Sequence, residues 1–144
     1  MDKKKILVVE DEKAISDILV FNLQREGYDT LAAYDGAEGL RCALEEAPDL
    51  ILLDVMLPEM DGFEVLAMMK KCHWIDDIPV IMISAENASS FVERAYDLGA
   101  SDYISRPLDT AGVRRRVINT LRLSAKQKRL VRLVAEQVYE KEKS

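Results

Sequence analysis

Three short apolar runs along the chain predict buried β-strands. They are ILVV at residues 6–9, LILL at residues 50–53 and VIMI at residues 80–83. None of them alternates between apolar and polar residues, so each strand is expected to be covered on both faces, as in a parallel sheet. Weaker strand patterns at residues 29–33 and 102–105 raise the predicted number of strands to five.

The stretches between the strands predict amphipathic helices, because their apolar residues recur at spacings of three and four. Gly27, Pro48 and Gly99 follow three of these stretches and are typical of helix ends. A fourth helix is predicted from Phe91 to Leu98, and a fifth begins after Pro107 with Asp109 as its cap. The first three helices carry the apolar sets Ile15, Ile18, Leu19 and Leu23; Ala37, Leu40, Ala43 and Leu44; and Phe63, Leu66, Ala67 and Met69.

Strict alternation of strands and helices predicts an α/β fold, with right-handed crossovers and a parallel sheet between two layers of helices. In such sheets, ligands bind beyond the carboxyl ends of the strands. Glu10 and Asp11 directly follow the first strand, and Asp54 ends the third. Three carboxylates are therefore expected to meet at one edge of the sheet.

Clustered carboxylates repel one another unless a cation compensates their charge, so this edge predicts a site for a divalent metal with oxygen ligands. Magnesium is the natural ion, since it keeps coordination positions open for phosphoryl oxygens. Asp54 would then act as an attacking carboxylate. Glu12 is interpreted instead as an acidic residue favoured near the start of a helix.

Two further strand ends supply the groups that would bind a phosphoryl group. Ser84 follows the apolar run at residues 80–83, and Arg106 follows the fifth strand and precedes Pro107. A hydroxyl and a cation at the same edge complete a phosphate-binding site. Taken singly, Ser84 could equally bond its own backbone and Arg106 could be a surface charge. The hypothesis depends on the agreement of four strand ends.

Four segments resemble the receiver domain of bacterial response regulators. They are VVEDE at residues 8–12, LLDVMLPEMDGFE at residues 52–64, ISA at residues 83–85 and GASDYISRP at residues 99–107. The resemblance covers residues 4–124 and implies the flavodoxin-like (βα)5 fold, a doubly wound five-stranded parallel sheet with strand order 2-1-3-4-5. It implies a phosphoacceptor in a two-component phosphorelay rather than an enzyme that acts on other molecules.

Position by position, the resemblance implies a role for each residue of the pocket. Asp54 is the expected phosphorylation site. Asp11 and the main-chain carbonyl of Met56 are expected to contact Mg2+ directly, together with Asp54, and Glu10 mostly through water. Met56 and Glu86 stand where the family tunes loss of the phosphoryl group, and the bulky Met56 predicts slow autodephosphorylation.

The resemblance also implies a switch that couples the pocket to the protein surface. Ser84 matches the hydroxyl that bonds the phosphoryl group, and Tyr103 matches the aromatic residue that turns inward when this hydroxyl moves. Static packing at the edge is the alternative for Tyr103. Arg106 stands where the family usually has lysine, and since the two cations are not interchangeable, switching could be altered. A cis bond to Pro107 is also implied.

The last predicted helix continues beyond the receiver-like region. Residues 1–124 are interpreted as the receiver and residues 125–144 as a helical linker to an output domain outside this sequence. An apolar stripe is formed by Leu123, Leu130, Val131, Val134 and Val138. It predicts a coiled-coil homodimer, with a helix folded back on the body as the alternative. The other partner expected by resemblance is a sensor histidine kinase or phosphotransfer protein, docked on helix one and the face of strand five.

Charge and cysteine content narrow the function classes. Residues 1–112 hold 10 Lys and Arg against 23 Asp and Glu, whereas residues 113–144 hold 10 against 3. The excess of acidic side chains in residues 1–112 argues against nucleic-acid binding by the domain. No apolar run is long enough for a membrane span or a signal segment, and Cys42 and Cys72 show no metal or disulfide spacing. A cytoplasmic protein with reduced thiols is expected.

Three rival functions differ from this prediction. A phosphatase similar to the haloacid dehalogenases needs a second aspartate two residues after the nucleophile, where this chain has Met56. A nucleotide-binding enzyme needs a glycine-rich loop after strand one, which is absent. A phosphorylation-independent interaction module that keeps the fold is the alternative left open. His73, the single histidine, and Trp74 are interpreted as loop residues.

Overall fold

The computed structural model describes residues 3–73, 77–86 and 88–143, so Trp74 lies outside the described residues. Within these described ranges, five strands alternate with five helices, as predicted. The strands are β1 (Lys5–Val9), β2 (Asp29–Ala33), β3 (Leu50–Asp54), β4 (Val80–Ser84) and β5 (Asp102–Ser105). The helices are α1 (Lys13–Arg25), α2 (Gly36–Glu46), α3 (Gly62–Lys71), α4 (Ser89–Asp97) and α5 (Thr110–Lys143).

The strands form one parallel sheet in the order β2-β1-β3-β4-β5, which confirms the predicted topology. β3 and β4 are buried along their whole length, because helices cover both faces. One face packs around Phe63, Leu66 and Met69 of α3, and the other around Leu19 and Leu23 of α1 with Val113 and Val117 of α5. The ends of β1 and β3 therefore lie at the centre of one edge of the sheet.

The helices begin and end close to the predicted residues. Asp35 and Asp61 accept hydrogen bonds from the backbone N–H groups of Glu38 and Glu64 and cap α2 and α3. Asp109 accepts one from the N–H of Ala111 at the start of α5. α4 begins at Ser89, two residues before the predicted Phe91.

Four residues assigned to apolar helix faces are exposed in the structure: Ile18 of α1, Ala37 and Leu44 of α2, and Ala67 of α3. Spacing placed Ile18 beside the buried Leu19 and Leu44 beside the buried Ala43, but each exposed residue lies beyond the width of the sheet-covering face. The spacing of apolar residues shows which side of a helix faces the core. How wide the buried part of that side is depends on the neighbouring helices and strands.

α5 extends beyond the body as a single helix without a fold back onto it. Val113, Val117 and Thr120 are its buried residues, and from residue 125 onward all described residues are exposed. Cys42 and Cys72 are free thiols. Among the described residues, no helix is both long and apolar enough to span a membrane.

Candidate functional site

Three carboxylates meet at the carboxyl ends of β1 and β3. Glu10, Asp11 and Asp54 each offer an oxygen within 4.8 Å of the others. Glu10 and Asp54 are only 2% and 3% exposed, whereas Asp11 is exposed. β1 and β3 are neighbours in the sheet, and Val9 pairs with Leu53, so the pocket follows directly from strand register. The sequence prediction that these three residues converge is confirmed.

The loop after β3 holds Asp54 through its backbone. The N–H of Met56 donates to Oδ1 of Asp54 at 3.1 Å, and the N–H of Gly62 donates to the carbonyl of Val55 at 2.9 Å. A Cβ atom on Gly62 would collide with the Asp54 carbonyl and would lie 2.8 Å from Cα of Val55. Glycine therefore lets α3 start directly against the acidic residue.

Met56 contributes to the pocket through its backbone, while its side chain is 59% exposed at the rim. The main-chain N–H is occupied by the Asp54 carboxylate. The role expected for its carbonyl, a direct metal contact, stays a prediction.

Arg106 projects its guanidinium among the acidic residues. Its Nη2 donates to Oε1 of Glu10 at 2.7 Å and lies 3.4 Å from Oδ2 of Asp54, while Nη1 lies 3.8 Å from Oε1 of Glu12. The peptide bond to Pro107 is cis, as the resemblance implied. The backbone of Arg106 is held by the end of β4, since its N–H donates a hydrogen bond to the Ser84 carbonyl at 2.8 Å.

Burial and charge shift the ionisation of Glu10 and Arg106. Burial, with the carboxylate of Asp54 nearby, raises the pKa of Glu10 to about 8, although Arg106 acts in the opposite direction. Burial alone would lower the pKa of Arg106, but the charges of Asp54 and Glu10 outweigh it and raise that pKa. Burial and Asp54 together therefore favour the protonated form of Glu10 despite the nearby Arg106.

Ser84 and Tyr103 stand next to the pocket on β4 and β5. Ser84 is fully buried, and its Oγ accepts a hydrogen bond from the N–H of Glu86 at 3.1 Å. Tyr103 is buried as well, and its hydroxyl donates to the Glu86 carbonyl at 2.6 Å. Both side chains therefore hold the same residue of the loop after β4. Their expected roles as a switch stay predictions.

The donor set fits a small, hard divalent cation. Carboxylate oxygens are the ligands that Mg2+ prefers, and three of them converge here within 4.8 Å of one another. Burial and the neighbouring Asp54 raise the pKa of Glu10 even with Arg106 present. A divalent ion bound here would favour the ionised form of Glu10.

Glu12 stands at the N-cap position of α1, which agrees with its interpretation as an acidic residue near the start of a helix. Its exposed carboxylate also lies 3.8 Å from Nη1 of Arg106, at the outer side of the pocket. His73 follows the end of α3 with a positive φ angle, and it does not belong to the acidic pocket.

A family model described as the response regulator receiver domain matches residues 6–118 of this chain. Among solved structures, a receiver domain protein (CheY-like) from Methanospirillum hungatei is 28% identical, with a TM-score of 0.82; the match covers 88% of this chain and 99% of that chain.

Two further structures show different contexts of the same fold. The CheX–CheY–BeF3–Mg complex from Borrelia burgdorferi gives 30% identity and a TM-score of 0.75, covering 81% of this chain and 87% of that chain. NtrX from Brucella abortus gives 30% identity and a TM-score of 0.84, covering 92% of this chain but only 30% of that chain. The fold thus occurs both nearly alone and as part of a longer protein.

Proposed function

This chain belongs to the response regulator receiver domain family, and from that membership we propose that it accepts a phosphoryl group on Asp54 in a magnesium-dependent reaction. The observation that supports this most directly is the convergence of Glu10, Asp11 and Asp54 at one edge of the sheet. Two-component signalling is the family's context. The phosphoryl transfer, the metal and the partners named below are proposals.

Asp54 is suited to the role of nucleophile by its position and its contacts. It is the last residue of β3, and the Met56 N–H donates to Oδ1. An oxygen of this carboxylate would attack phosphorus, an acyl phosphate bond would form, and the bond from phosphorus to the donor's nitrogen or oxygen would break with its electron pair leaving on the donor. In this proposal Asp54 is the residue that becomes covalently modified.

Glu10, Asp11 and Asp54, with the Met56 carbonyl, would hold the Mg2+ ion. When bound, the ion supplies positive charge against the charge that develops on the phosphoryl oxygens. Arg106 would add a second positive charge, because its Nη2 is already 3.4 Å from Oδ2 of Asp54. Its planar guanidinium can donate two hydrogen bonds to one phosphate group.

Ser84 and Tyr103 would connect the phosphoryl group to the surface. If the Ser84 Oγ moves toward a phosphoryl oxygen in order to donate to it, the hydrogen bond that Oγ accepts from the Glu86 N–H would lengthen or break. Tyr103 is tied to the carbonyl of the same residue, so the loop after β4 and the ring of Tyr103 would shift together. The altered surface would control an output domain.

A groove beside the pocket would receive the phosphoryl donor, a sensor histidine kinase or a phosphotransfer protein. Its volume is about 580 Å³, and it lies between α1 and the start of α5. Ile15, Ile18 and Leu108 give it an apolar floor, and Arg106 lies at the end near the carboxylates. An apolar surface beside the acceptor aspartate can position a donor protein for transfer.

A phosphorylation-independent interaction module is the second candidate. It is favoured by Arg106, which already forms ion pairs with Glu10 and Asp54 where the family usually has lysine. In that case the cation of the chain itself would replace the metal and fix one conformation of the pocket.

A mass measurement separates the two candidates. The protein is incubated with Mg2+ and acetyl phosphate, and the intact masses of wild type and Asp54→Asn are compared. We expect an added phosphoryl group on wild type only, and none after chelation of the metal with EDTA. The absence of an adduct on wild type, with circular dichroism showing a folded chain, would favour the interaction module.

A further inference from the structure

Arg106 faces one carboxylate that does not belong to the proposed metal site. Three carboxylates lie close to its guanidinium in the part of the chain that the structure describes. Glu10 is 2.7 Å and Asp54 3.4 Å from Nη2, whereas Glu12 is 3.8 Å from Nη1. Glu10 and Asp54 are proposed metal ligands. Glu12 is therefore the one of the three that a bound metal would leave available to Arg106.

We propose that Glu12 is a positioning residue that holds Arg106 at the rim of the pocket when Mg2+ is bound. The inference rests on the metal site proposed above. Arg106 has to yield the oxygens of Glu10 and Asp54 to the ion, because the two positive charges repel each other. Its guanidinium shifts outward onto Glu12 and remains beside Asp54. Arg106 can then contact a phosphoryl group without displacing the metal.

The shape of the guanidinium allows this shift without a change of the backbone. Its two terminal nitrogens face different partners, since Nη2 points to Glu10 and Nη1 to Glu12. A lysine side chain ends in a single nitrogen, so the same atom would have to serve both carboxylates. The backbone of Arg106 is fixed by its hydrogen bond to the Ser84 carbonyl at 2.8 Å. Rotation about side-chain bonds is therefore the motion that remains.

The position of Arg106 in this structure leaves one of its donors unsatisfied. Nε is buried and has no hydrogen-bond partner among the described residues. A buried donor without an acceptor destabilises the arrangement that contains it. A shift of the guanidinium toward the rim would bring Nε closer to solvent, where water can accept its hydrogen bond. This gain offsets part of the cost of leaving Glu10.

Glu12 is suited to accept the guanidinium. It stands at the N-cap of α1, but its side chain makes no capping hydrogen bond there. Its carbonyl accepts from the Ser16 N–H at 3.0 Å, which anchors the backbone, while the side chain is 62% exposed. A movement of about 1 Å would turn the present separation from Arg106 into a charge-assisted hydrogen bond.

A double-mutant cycle on Mg2+ affinity tests the proposal. Isothermal titration calorimetry with MgCl2 at constant pH measures the dissociation constants of wild type, Glu12→Gln, Arg106→Gln and the double variant. We expect Glu12→Gln to weaken binding about threefold, the scale of an exposed ion pair, because Arg106 then has only metal ligands to pair with. In the Arg106→Gln background, the same substitution is expected to have little effect.

The comparison of backgrounds separates positioning from simple attraction. If Glu12 acted only by attracting Mg2+ through its charge, Glu12→Gln would weaken binding by the same factor with and without Arg106, which would overturn the proposal. Asp17→Asn is the matched control, since Asp17 is an exposed acidic residue of α1 without an ion pair among the described residues. It should leave the affinity nearly unchanged. A wild type that binds no Mg2+ would overturn the metal site itself, and this proposal with it.

NMR relaxation of arginine side chains gives an independent measurement of position. In protein labelled with 15N-arginine, the Nε signal of Arg106 is identified by its loss in Arg106→Gln. With saturating Mg2+, we expect this side chain to be ordered in wild type and more mobile in Glu12→Gln, where no carboxylate holds it. In EDTA the two proteins should show equal order, because Glu10 holds the guanidinium in both. Equal order with saturating Mg2+ would contradict the role of Glu12.

Discussion

Arg106 donates a hydrogen bond from Nη2 to Oε1 of Glu10 at 2.7 Å, shorter than the 3.4 Å from the same nitrogen to Oδ2 of Asp54. The guanidinium is therefore anchored on a proposed metal ligand more closely than on the proposed phosphoacceptor. A metal ion and Arg106 would both interact with the oxygens of Glu10 and Asp54. The two cations are expected to compete for these oxygens.

Arg106→Gln is expected to bind Mg2+ several-fold more tightly than wild type, because it removes a positive charge from the carboxylates. Isothermal titration calorimetry with MgCl2 at low ionic strength measures the affinity without any phosphoryl transfer. Arg114→Gln is the matched control, since Arg114 pairs with Glu26 at 3.6 Å rather than with the pocket. Equal or weaker Mg2+ binding by Arg106→Gln would show that the guanidinium does not compete.

Metal-free stability is expected to fall with rising pH through Glu10. Its pKa is raised from 4.5 to about 8, first by burial and then by Asp54. A carboxyl group that holds its proton more tightly in the folded state gives a contribution that is complete below pH 4.5 and is lost as the pH approaches 8. The unfolding free energy of wild type should therefore decline relative to Glu10→Gln across this window.

Urea unfolding in EDTA at a series of pH values measures this decline, which is limited to about 1.4 kcal/mol per pH unit for one proton. Glu12→Gln is the control, because Glu12 is largely exposed and its substitution should leave the decline in place. Saturating Mg2+ should weaken the decline, since bound metal favours the ionised form. Parallel pH profiles of wild type and Glu10→Gln would refute the assignment.

Gly62→Ala is expected to destabilise the protein by about 1–3 kcal/mol, since its Cβ would lie 2.8 Å from Cα of Val55 and collide with the Asp54 carbonyl. Thermal or urea unfolding measures the loss. Gly112→Ala is the matched control within α5, where the nearest atom outside the helix backbone is 3.4 Å away. There alanine should stabilise the helix by up to about 1 kcal/mol. Equal effects would rule out close packing as the cause.

Met56→Asn is expected to shorten the lifetime of phosphorylated Asp54 several-fold, because a polar side chain at the rim could orient the attacking water that methionine excludes. Decay of the phosphorylated mass after removal of the donor measures the rate. Met68→Asn is the control, as Met68 is an exposed methionine on α3. A wild-type half-life of seconds that Met56→Asn leaves unchanged would contradict the shielding role.

The sequence predicted the edge of the sheet where the pocket lies, because parallel strands place their carboxyl ends together. Glu10, Asp11 and Asp54 were located by that rule alone, since strand register needs no knowledge of side-chain conformation. The family resemblance supplied the strand order and the cis bond before Pro107, both of which the structure confirms.

The partners of Arg106 could not be predicted in the same way. Its choice of Glu10 and Glu12 beside Asp54 depends on the rotamer of a long side chain and on the charges within its reach. The exposure of Ile18 likewise depends on how far the sheet extends under α1. Both are properties of tertiary packing, which local periodicity does not encode.

Because α5 is one continuous helix, a small rotation at its base becomes a larger displacement at its far end. Nη1 of Arg116 donates to Oδ1 of Asp102 at 2.7 Å and to the Tyr103 carbonyl at 3.1 Å, which fastens the inner half of the helix to β5. No glycine or proline interrupts residues 113–143, so bending at a joint is disfavoured. From Arg116 to Lys143 the helix advances 27 residues at about 1.5 Å each, so a tilt of about 5° at β5 would move the far end by about 3.5 Å.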